Sequence, residues 1–112
     1  NRMTEVSFDE WQKLDLRVGE IKKVEDHPNA DKLYLITVDI GTEERKIVSG
    51  LKDHYKAEDL LGRKIIVLTN LAAKELRGIE SKGMLLAAGI EEKNTCVLLQ
   101  PEQDIENGAE IT

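Results

Sequence analysis

The central part of the sequence reads KLYLITVDI (residues 32–40), GTEE (residues 41–44) and RKIVS (residues 45–49). The first and third runs are rich in β-branched and aromatic residues, which favour strands. The short polar run between them is typical of a hairpin connection. These residues therefore predict two antiparallel strands, the second of which ends at Gly50.

Further strands are predicted on both sides of this hairpin. Apolar and polar residues alternate from Leu14 to Gly19, as in a half-buried strand. The run HPNAD (residues 27–31) ends that strand, because proline restricts the residue before it and Asn and Asp favour turns. Later strand-like runs cover residues 64–69, 84–88, 94–99 and, after a turn at Asn107-Gly108, residues 109–111.

Two short helices are also predicted. Ser7 and Glu10 have the spacing of a capping box, and the helix that they begin would place Phe8 and Trp11 on one face. We expect these two aromatic side chains to plug one end of a barrel. The second helix covers residues 57–61 and ends at Gly62.

Five or six strands with one helix between them predict an all-β fold, best satisfied by a small closed barrel that leaves few free strand edges. A sandwich or an SH3-like barrel has a similar strand pattern and stays open as an alternative. The 112 residues are enough for one domain, residues 1–112, and contain no linker or internal repeat.

The net charge of −6 is unevenly distributed. Residues 63–84 carry five basic and two acidic side chains, whereas residues 85–112 carry one basic and six acidic ones. A local cationic face is therefore compatible with an acidic protein. The single cysteine, Cys96, lies in an apolar run and is expected to be a core thiol, which fits a reducing cytoplasm. No apolar run approaches the roughly 20 residues needed to span a membrane.

The sequence gives little support for catalysis. His27 and His54 have no cysteine or histidine partner at metal-ligand spacing, and no glycine-rich phosphate loop is present. Asp26 and the pair Glu91-Glu92 form no interpretable dyad. We therefore expect a non-catalytic protein without a cofactor or a metal site.

Several motifs resemble one family, the tRNA-binding domains appended to methionyl-tRNA synthetases and their free relatives. The resemblance runs from about Phe8 to the C-terminus, with several separate motifs in the same order. These motifs are DLRVG (residues 15–19), HPNADKLY (27–34), IVSGL (47–51), Asn70-Leu71, Lys74, Arg77-Gly78, Ser81 and GMLLAA (83–88).

The resemblance implies a five-stranded oligonucleotide-binding (OB) barrel over residues 8–100 that binds tRNA and performs no chemistry. It also implies a C-terminal extension, residues 101–112, that helps to pair two subunits into a homodimer. The catalytic part of a methionyl-tRNA synthetase would then be a further partner. Where many relatives have proline after Asn-Leu-Lys, this chain has Asn70-Leu71-Ala72-Ala73-Lys74, so we expect a more flexible loop with one charge fewer.

Eight residues are candidates for tRNA contact on these grounds, and each has a simpler structural interpretation. Lys32 could be a solvated surface lysine, and Asn70 and Ser81 could cap their loop. Strand alternation puts Arg45 and Lys46 on opposite faces, so at most one of them should face the ligand. Arg17 is expected equally to pair with nearby carboxylates. The candidates are Lys32, Arg45, Lys46, Asn70, Lys74, Arg77, Ser81 and Lys82.

Aromatic residues are too few for a stacking surface. Tyr34 is the only aromatic residue in the middle of a predicted strand, whereas sequence-tolerant single-strand binders stack bases on several aromatic rings. Recognition of folded RNA by shape and phosphate contacts is therefore favoured. The alternative is a protein–protein scaffold or a dimerisation module of a synthetase complex.

Overall fold

The computed structural model of the protein describes residues 4–112, and most of their regular structure is β-strand. Helix α1 (Phe8–Trp11) precedes the sheet, α2 (Ala57–Leu60) lies between the third and fourth strands, and a 3₁₀ turn covers Glu91–Lys93. The strands are β1 (Leu16–Asp26), β2 (Tyr34–Asp39), β3 (Glu44–Ser49), β4 (Lys64–Leu68), β5 (Lys74–Leu76), β6 (Ile79–Ser81), β7 (Met84–Leu85), β8 (Ala87–Ile90) and β9 (Thr95–Leu98).

The main sheet has the order β3-β2-β1-β4-β7, and all neighbours are antiparallel. Strand β1 passes from one partner to another: residues 16–20 pair with β4, and residues 20–26 pair with β2. The N–H of Lys82 donates to the carbonyl of Lys46 at 3.0 Å, which joins the closing segment to β3. The five-stranded OB barrel with one short interposed helix is thereby confirmed.

The core consists of the inward side chains of the barrel and one residue of α2. Leu60 is fully buried, as are Ile21, Ile36, Ile65 and Val67. Leu60 packs into this core cluster, and α2, which follows β3 and precedes β4 in the chain, contacts β1. No helix within residues 4–112 is long and apolar enough to cross a membrane.

Helix α1 lies outside the core. Its capping box is confirmed, since the Ser7 hydroxyl accepts from the Glu10 N–H and the Glu10 carboxylate accepts from the Ser7 N–H. The prediction that Phe8 and Trp11 plug the barrel is wrong, because these side chains are 68% and 39% exposed. They share one face as predicted by helical spacing, but that face borders an open groove.

The C-terminal residues complete the edge of β1. The N–H of Val18 donates to Ala109 O at 2.9 Å, the N–H of Gly108 to Val18 O at 2.7 Å, and the N–H of Ile111 to Leu16 O at 2.9 Å. The short final strand expected at residues 109–111 is present only as a bridge between Arg17 and Glu110. The extension therefore forms part of the sheet's hydrogen bonding.

Glycine is required where this extension meets the β2–β3 connection. Gly41 and Gly108 have φ values of +93° and +89°. A Cβ atom on Gly108 would lie 2.7 Å from the carbonyl oxygen of Ile40, and one on Gly41 would lie 2.5 Å from that of Asn107. The two turns consequently pack backbone against backbone.

Candidate nucleic-acid interface

Three segments lie side by side and form what we call the hairpin surface: the β1–β2 connection (residues 27–33), strand β3, and residues 70–82. Hydrogen bonds join Asn29 to Arg77 and Val48 to Ser81, which links the third segment to the other two. In OB barrels, ligands bind across the second and third strands between the loop after the first strand and the loop after the fourth. The hairpin surface corresponds to that region.

Residues 74–81 form the antiparallel hairpin β5–β6. The sequence analysis predicted a loop and no strand between residues 69 and 84, and this prediction is wrong for residues 74–81. Arg77 and Gly78 form the two-residue turn, and both have positive φ (54° and 89°), as a type I′ turn requires. Arginine is uncommon at positive φ, so only Gly78 signalled the turn.

Lys46, Lys74 and Arg77 are the least restrained cations of the hairpin surface. All three are exposed. None has a carboxylate partner within 4.0 Å among residues 4–112. Their ammonium and guanidinium groups are therefore free to meet a phosphate.

Lys32 and Lys82 are exposed but have carboxylate partners. The Lys32 ammonium lies 3.8 Å from Asp53, and that of Lys82 lies 3.6 Å from Glu80. Exposed pairs of this kind contribute about 0–1 kcal/mol. A phosphate can therefore replace either carboxylate at little cost.

Arg45 is more restrained by its neighbours than Lys46 is. Its guanidinium donates to Thr69 O at 2.7 Å and to the Glu43 carboxylate at 3.2 Å, and its side chain is 24% exposed. Arg45 and Lys46 both border the groove that Glu80 and Lys82 also line, so their placement on opposite faces stays a prediction. Arg45 helps to close one end of the barrel and is not available as Lys46 is.

Asn70 and Ser81 have structural roles, so the loop-capping interpretation fits both. The Asn70 amide accepts from the Asp15 N–H at 2.9 Å and donates to Lys13 O at 2.6 Å. Ser81 is only 6% exposed, and its hydroxyl accepts from the Val48 N–H at 3.0 Å. The structure does not bring either side chain to the outer surface as a free donor.

A polar cluster that the sequence analysis missed adjoins Arg45. The Asp15 carboxylate accepts from the Thr69 hydroxyl at 2.7 Å and from Arg17 at 2.9 Å. The Thr69 hydrogen bond is the largest cause of a lowered pKa at Asp15, and Arg17 adds to the effect. The expected ion pair of Arg17 is confirmed. The only earlier signal of the cluster was the placement of Asp15 and Arg17 on one side of a strand.

Tyr34 does not provide a stacking surface. It is buried in the core, and its hydroxyl donates to Tyr55 O at 2.8 Å. Phe8 and Trp11 are exposed, but they lie on α1 beside the groove that also borders Ile111. The hairpin surface therefore offers cations and backbone groups.

No group of three or more His, Cys, Asp or Glu side chains within residues 4–112 is arranged to hold a metal ion. His27 and His54 lie in different environments. His27 is buried under the hairpin, whereas His54 lines a groove beside the β8–β9 turn.

Comparisons with known proteins agree with this arrangement. Residues 16–110 match the family described as a putative tRNA binding domain. The chain is 54% identical over 110 residues to a methionine–tRNA ligase from Thermococcus kodakarensis, covering 98% of this chain and 15% of that protein. The corresponding ligase from Pyrococcus furiosus is 52% identical, with the same coverage.

Two solved structures are similar along nearly the whole chain. A methionyl-tRNA synthetase related protein from Pyrococcus horikoshii has a TM-score of 0.90 and 36% identity, covering 98% of this chain and 100% of that one. The CsaA chaperone from Bacillus anthracis has a TM-score of 0.85 and 28% identity, covering 97% and 100%.

The chain spans about 15% of the length of the ligases that it matches. The family match, by contrast, covers nearly all of the barrel and includes the hairpin surface. The chain belongs to the family of putative tRNA-binding domains.

Proposed function

We propose that the domain binds tRNA at the hairpin surface, through shape and phosphate contacts, with Lys46, Lys74 and Arg77 as the main cationic contacts. One observation carries this assignment: three exposed cations without carboxylate partners lie together on a protein of net charge −6. Lys32 and Lys82 supply further contacts when a phosphate of the RNA replaces the carboxylate with which each lysine is paired. Ser81 supports the surface from within, whereas Arg45 and Asn70 hold neighbouring segments of the barrel through their own hydrogen bonds.

The direct test is a titration of bulk tRNA, and of single-stranded RNA of equal length, with Lys74→Glu, Arg77→Glu and their combination. Each reversal removes one phosphate contact and adds repulsion, so we expect about tenfold weaker tRNA binding per reversal. The slope of log K against log salt should become shallower by roughly 0.7–0.9 per lost contact.

Lys93→Glu is the matched control, because Lys93 is exposed and lies in the 3₁₀ turn, outside the hairpin surface. It should change affinity only through net charge. Equal losses in Lys93→Glu and Lys74→Glu would contradict the assignment of the site. A preference for single-stranded RNA would contradict recognition by shape.

We further propose that the domain is a non-catalytic part of a methionyl-tRNA synthetase system in the cytoplasm, where it raises the local concentration of tRNA beside the catalytic part. The support is the 52–54% identity to portions of methionine–tRNA ligases. Tethering can raise overall affinity without adding sequence specificity. In the complete enzyme, the combined Lys74 and Arg77 reversal should raise KM for tRNA and leave kcat at saturating tRNA unchanged.

Strands β7, β8 and β9 also expose an apolar face, which we define as Met84, Ile90, Val97, Leu99 and Ala88. Ala88 pairs with Val97, so strand alternation places Ala88, Ile90, Val97 and Leu99 on the same side of the β8–β9 pair, and Met84 belongs to β7 of the neighbouring main sheet. Val97 is 52% exposed and Met84 46% exposed. The single strand predicted over residues 84–88 is wrong, because the chain forms two separate strands, β7 and β8, and much of their surface is exposed.

We propose that a second copy of the chain covers this apolar face and forms a homodimer. The face joins branched and linear apolar side chains with few charges, as the centres of protein interfaces do. The groove of about 480 Å³ between α1 and the C-terminal residues exposes further apolar groups, including Phe8 and Trp11. Both surfaces would be covered by assembly.

Val97→Asp tests the dimer by light scattering and sedimentation over a range of protein concentrations. We expect the unmodified domain to show twice the chain mass and the variant to show a single chain mass. Leu61→Asp, at a residue 57% exposed beside α2, should remain dimeric. A single chain mass for the unmodified domain at all concentrations would contradict the proposal.

A further inference from the structure

His27 joins the β1–β2 connection to the hairpin β5–β6. Its imidazole is buried, at 5% exposure. The Nε2 atom lies 3.0 Å from Leu76 O, and the Nδ1 atom accepts from the N–H of Asn29 at 2.9 Å. A single side chain thus orders its own turn and holds the end of β5.

These two contacts fix the charge and the tautomer of the ring. A backbone N–H can only donate, so Nδ1 carries no proton. A backbone carbonyl can only accept, so Nε2 carries one and donates to Leu76 O. Protonation of Nδ1 would place two donors against each other and break the contact with Asn29. The docked arrangement therefore requires an uncharged His27.

The hairpin held in this way is the one that carries Lys74 and Arg77. Arg77 follows Leu76 directly, and the carbonyl of Arg77 accepts a second hydrogen bond from the Asn29 side chain at 3.2 Å. Asn29 depends on His27 in turn through its own N–H. Both attachments of the hairpin to the β1–β2 connection consequently depend on His27.

The charged side chains of the β1–β2 connection and of the hairpin do not take over the two hydrogen bonds of His27, because these side chains are exposed. Asp26 pairs with Lys52 at 3.0 Å, and Lys32 lies 3.8 Å from Asp53. The ionisable groups near His27 are Asp26 at the end of β1, Asp31 and Lys32 in the connection, and Lys74, Glu75, Arg77 and Glu80 in the hairpin, and all of them are exposed.

We propose that uncharged His27 is a positioning residue for RNA binding: it docks the hairpin so that Lys74 and Arg77 face the ligand together, and its protonation releases them. The inference rests on the tRNA-binding function proposed above. The expected effect of His27 protonation on RNA affinity has an unusual sign. An added positive charge ordinarily strengthens binding to a polyanion, whereas release of the hairpin lowers the fraction of binding-competent protein and weakens binding.

Two substitutions separate the two contacts of the ring. In His27→Asn, the side-chain oxygen can still accept near the Nδ1 position, but no donor reaches Leu76 O. In His27→Gln, the longer amide can donate to Leu76 O and carries no titratable group. His54→Gln is the matched control, because it removes the other histidine, which lies beside the β8–β9 turn.

The experiment measures tRNA affinity at fixed salt between about pH 8 and pH 5, the range in which histidine changes charge. We expect the unmodified domain and His54→Gln to bind more weakly as the pH falls. His27→Asn should bind about fivefold more weakly at pH 8, as expected for one lost hydrogen bond, with no further loss in acid. His27→Gln keeps the contact with Leu76 O but leaves the Asn29 N–H without its acceptor, so it should also bind more weakly than the unmodified domain at pH 8, with no further loss in acid.

Amide NMR spectra of each variant show whether the barrel is folded and whether the hairpin amides of residues 74–81 shift. Tight tRNA binding by a folded His27→Asn, or an acid loss that persists in His27→Gln, would overturn the positioning role while the proposed function stands. If His27→Asn does not fold, the pH profile of His27→Gln decides alone. Absence of tRNA binding by the unmodified domain at neutral pH and low salt would overturn both.

Discussion

Asp15 shows how a single side chain connects the N-terminal segment to the barrel. Its carboxylate accepts from Thr69 and Arg17, and its N–H donates to Asn70. The first two contacts favour the ionised form and lower the pKa of Asp15 below its usual 3.8. A group whose folded pKa is lowered adds stability above its unfolded pKa, and this stability is lost as the pH falls through the folded value.

Asp15→Asn should therefore be less stable than the unmodified domain at neutral pH. The difference should shrink as the pH falls below about 4, because the unmodified carboxyl becomes protonated in that range. Urea unfolding at a series of pH values measures this difference. Glu58→Gln, at an exposed carboxylate of α2, should show no comparable trend. A constant difference for Asp15→Asn across acid pH would contradict the linkage.

The hairpin β5–β6 is an element whose attachment differs on its two sides. On one side Ser81 is buried and bonds to the Val48 N–H within the barrel, and on the other Lys74 and Arg77 are exposed. One short segment thus combines a structural anchor with candidate ligand contacts. The resemblance to the family identifies Ser81, Lys74 and Arg77 together as candidates. The exposure of each side chain then distinguishes the structural residue Ser81 from the candidate ligand contacts Lys74 and Arg77.

Ser81→Ala should lower the free energy of unfolding by about 1–3 kcal/mol, because it leaves the N–H of Val48 without its acceptor in a buried place. tRNA affinity of the folded protein should change less than in Lys74→Glu. Denaturant unfolding and tRNA titration give the two quantities. Thr95→Ala, which removes an exposed hydroxyl, should change stability by no more than about 0.5 kcal/mol. Equal effects of the two substitutions would contradict the anchoring role of Ser81.

Predictions from sequence succeeded where a local pattern determines the outcome. The capping box at Ser7 and the β2–β3 hairpin both follow from contacts between residues that are close in the chain. Errors arose where distant segments decide. Whether Phe8 is buried depends on what covers α1, which no periodicity in the first residues reveals.

The location of the candidate site could be predicted from the sequence. Which residues contribute a free side chain to it was harder to predict. The basic composition of residues 63–84 indicated the correct segment. Composition does not show which side chains are already engaged: Asn70 bonds to residues 13 and 15, more than 50 positions away in the chain. The contact that His27 makes with the hairpin could not be predicted, because its partner Leu76 O is a backbone atom without a sequence signature.

At the scale of the whole molecule, the chain closes by joining its last residues to its first strand. The C-terminal extension is strongly acidic, yet it lies along β1 because its backbone completes the hydrogen bonding of residues 16–18. Lys64 also pairs with Asp104 at 3.0 Å. The stability of the domain therefore depends on these residues, apart from any role in dimerisation.

Gly108→Ala should destabilise the domain by roughly 3 kcal/mol, since the substitution combines left-handed strain of about 1–2 kcal/mol with a Cβ contact of 2.7 Å to the backbone of Ile40. Gly62→Ala is the control: Gly62 has a similar φ of +85° but no atom within 4 Å of the added Cβ. Gly62→Ala should be destabilised only by the left-handed strain. Urea unfolding compares the two variants. Equal losses would show that the contact between the turns adds nothing.

The pairing of Arg17 with Glu110 also determines when the domain can finish folding during its synthesis. Strand β1 is made before the other strands of the domain, but the edge formed by residues 16–18 gains its partner only after 93 further residues have been added. At typical ribosomal speeds that interval is on the order of 5–20 s. During it the nascent chain presents an unpaired strand edge, so protection by the ribosome or by a chaperone would be most useful at this stage.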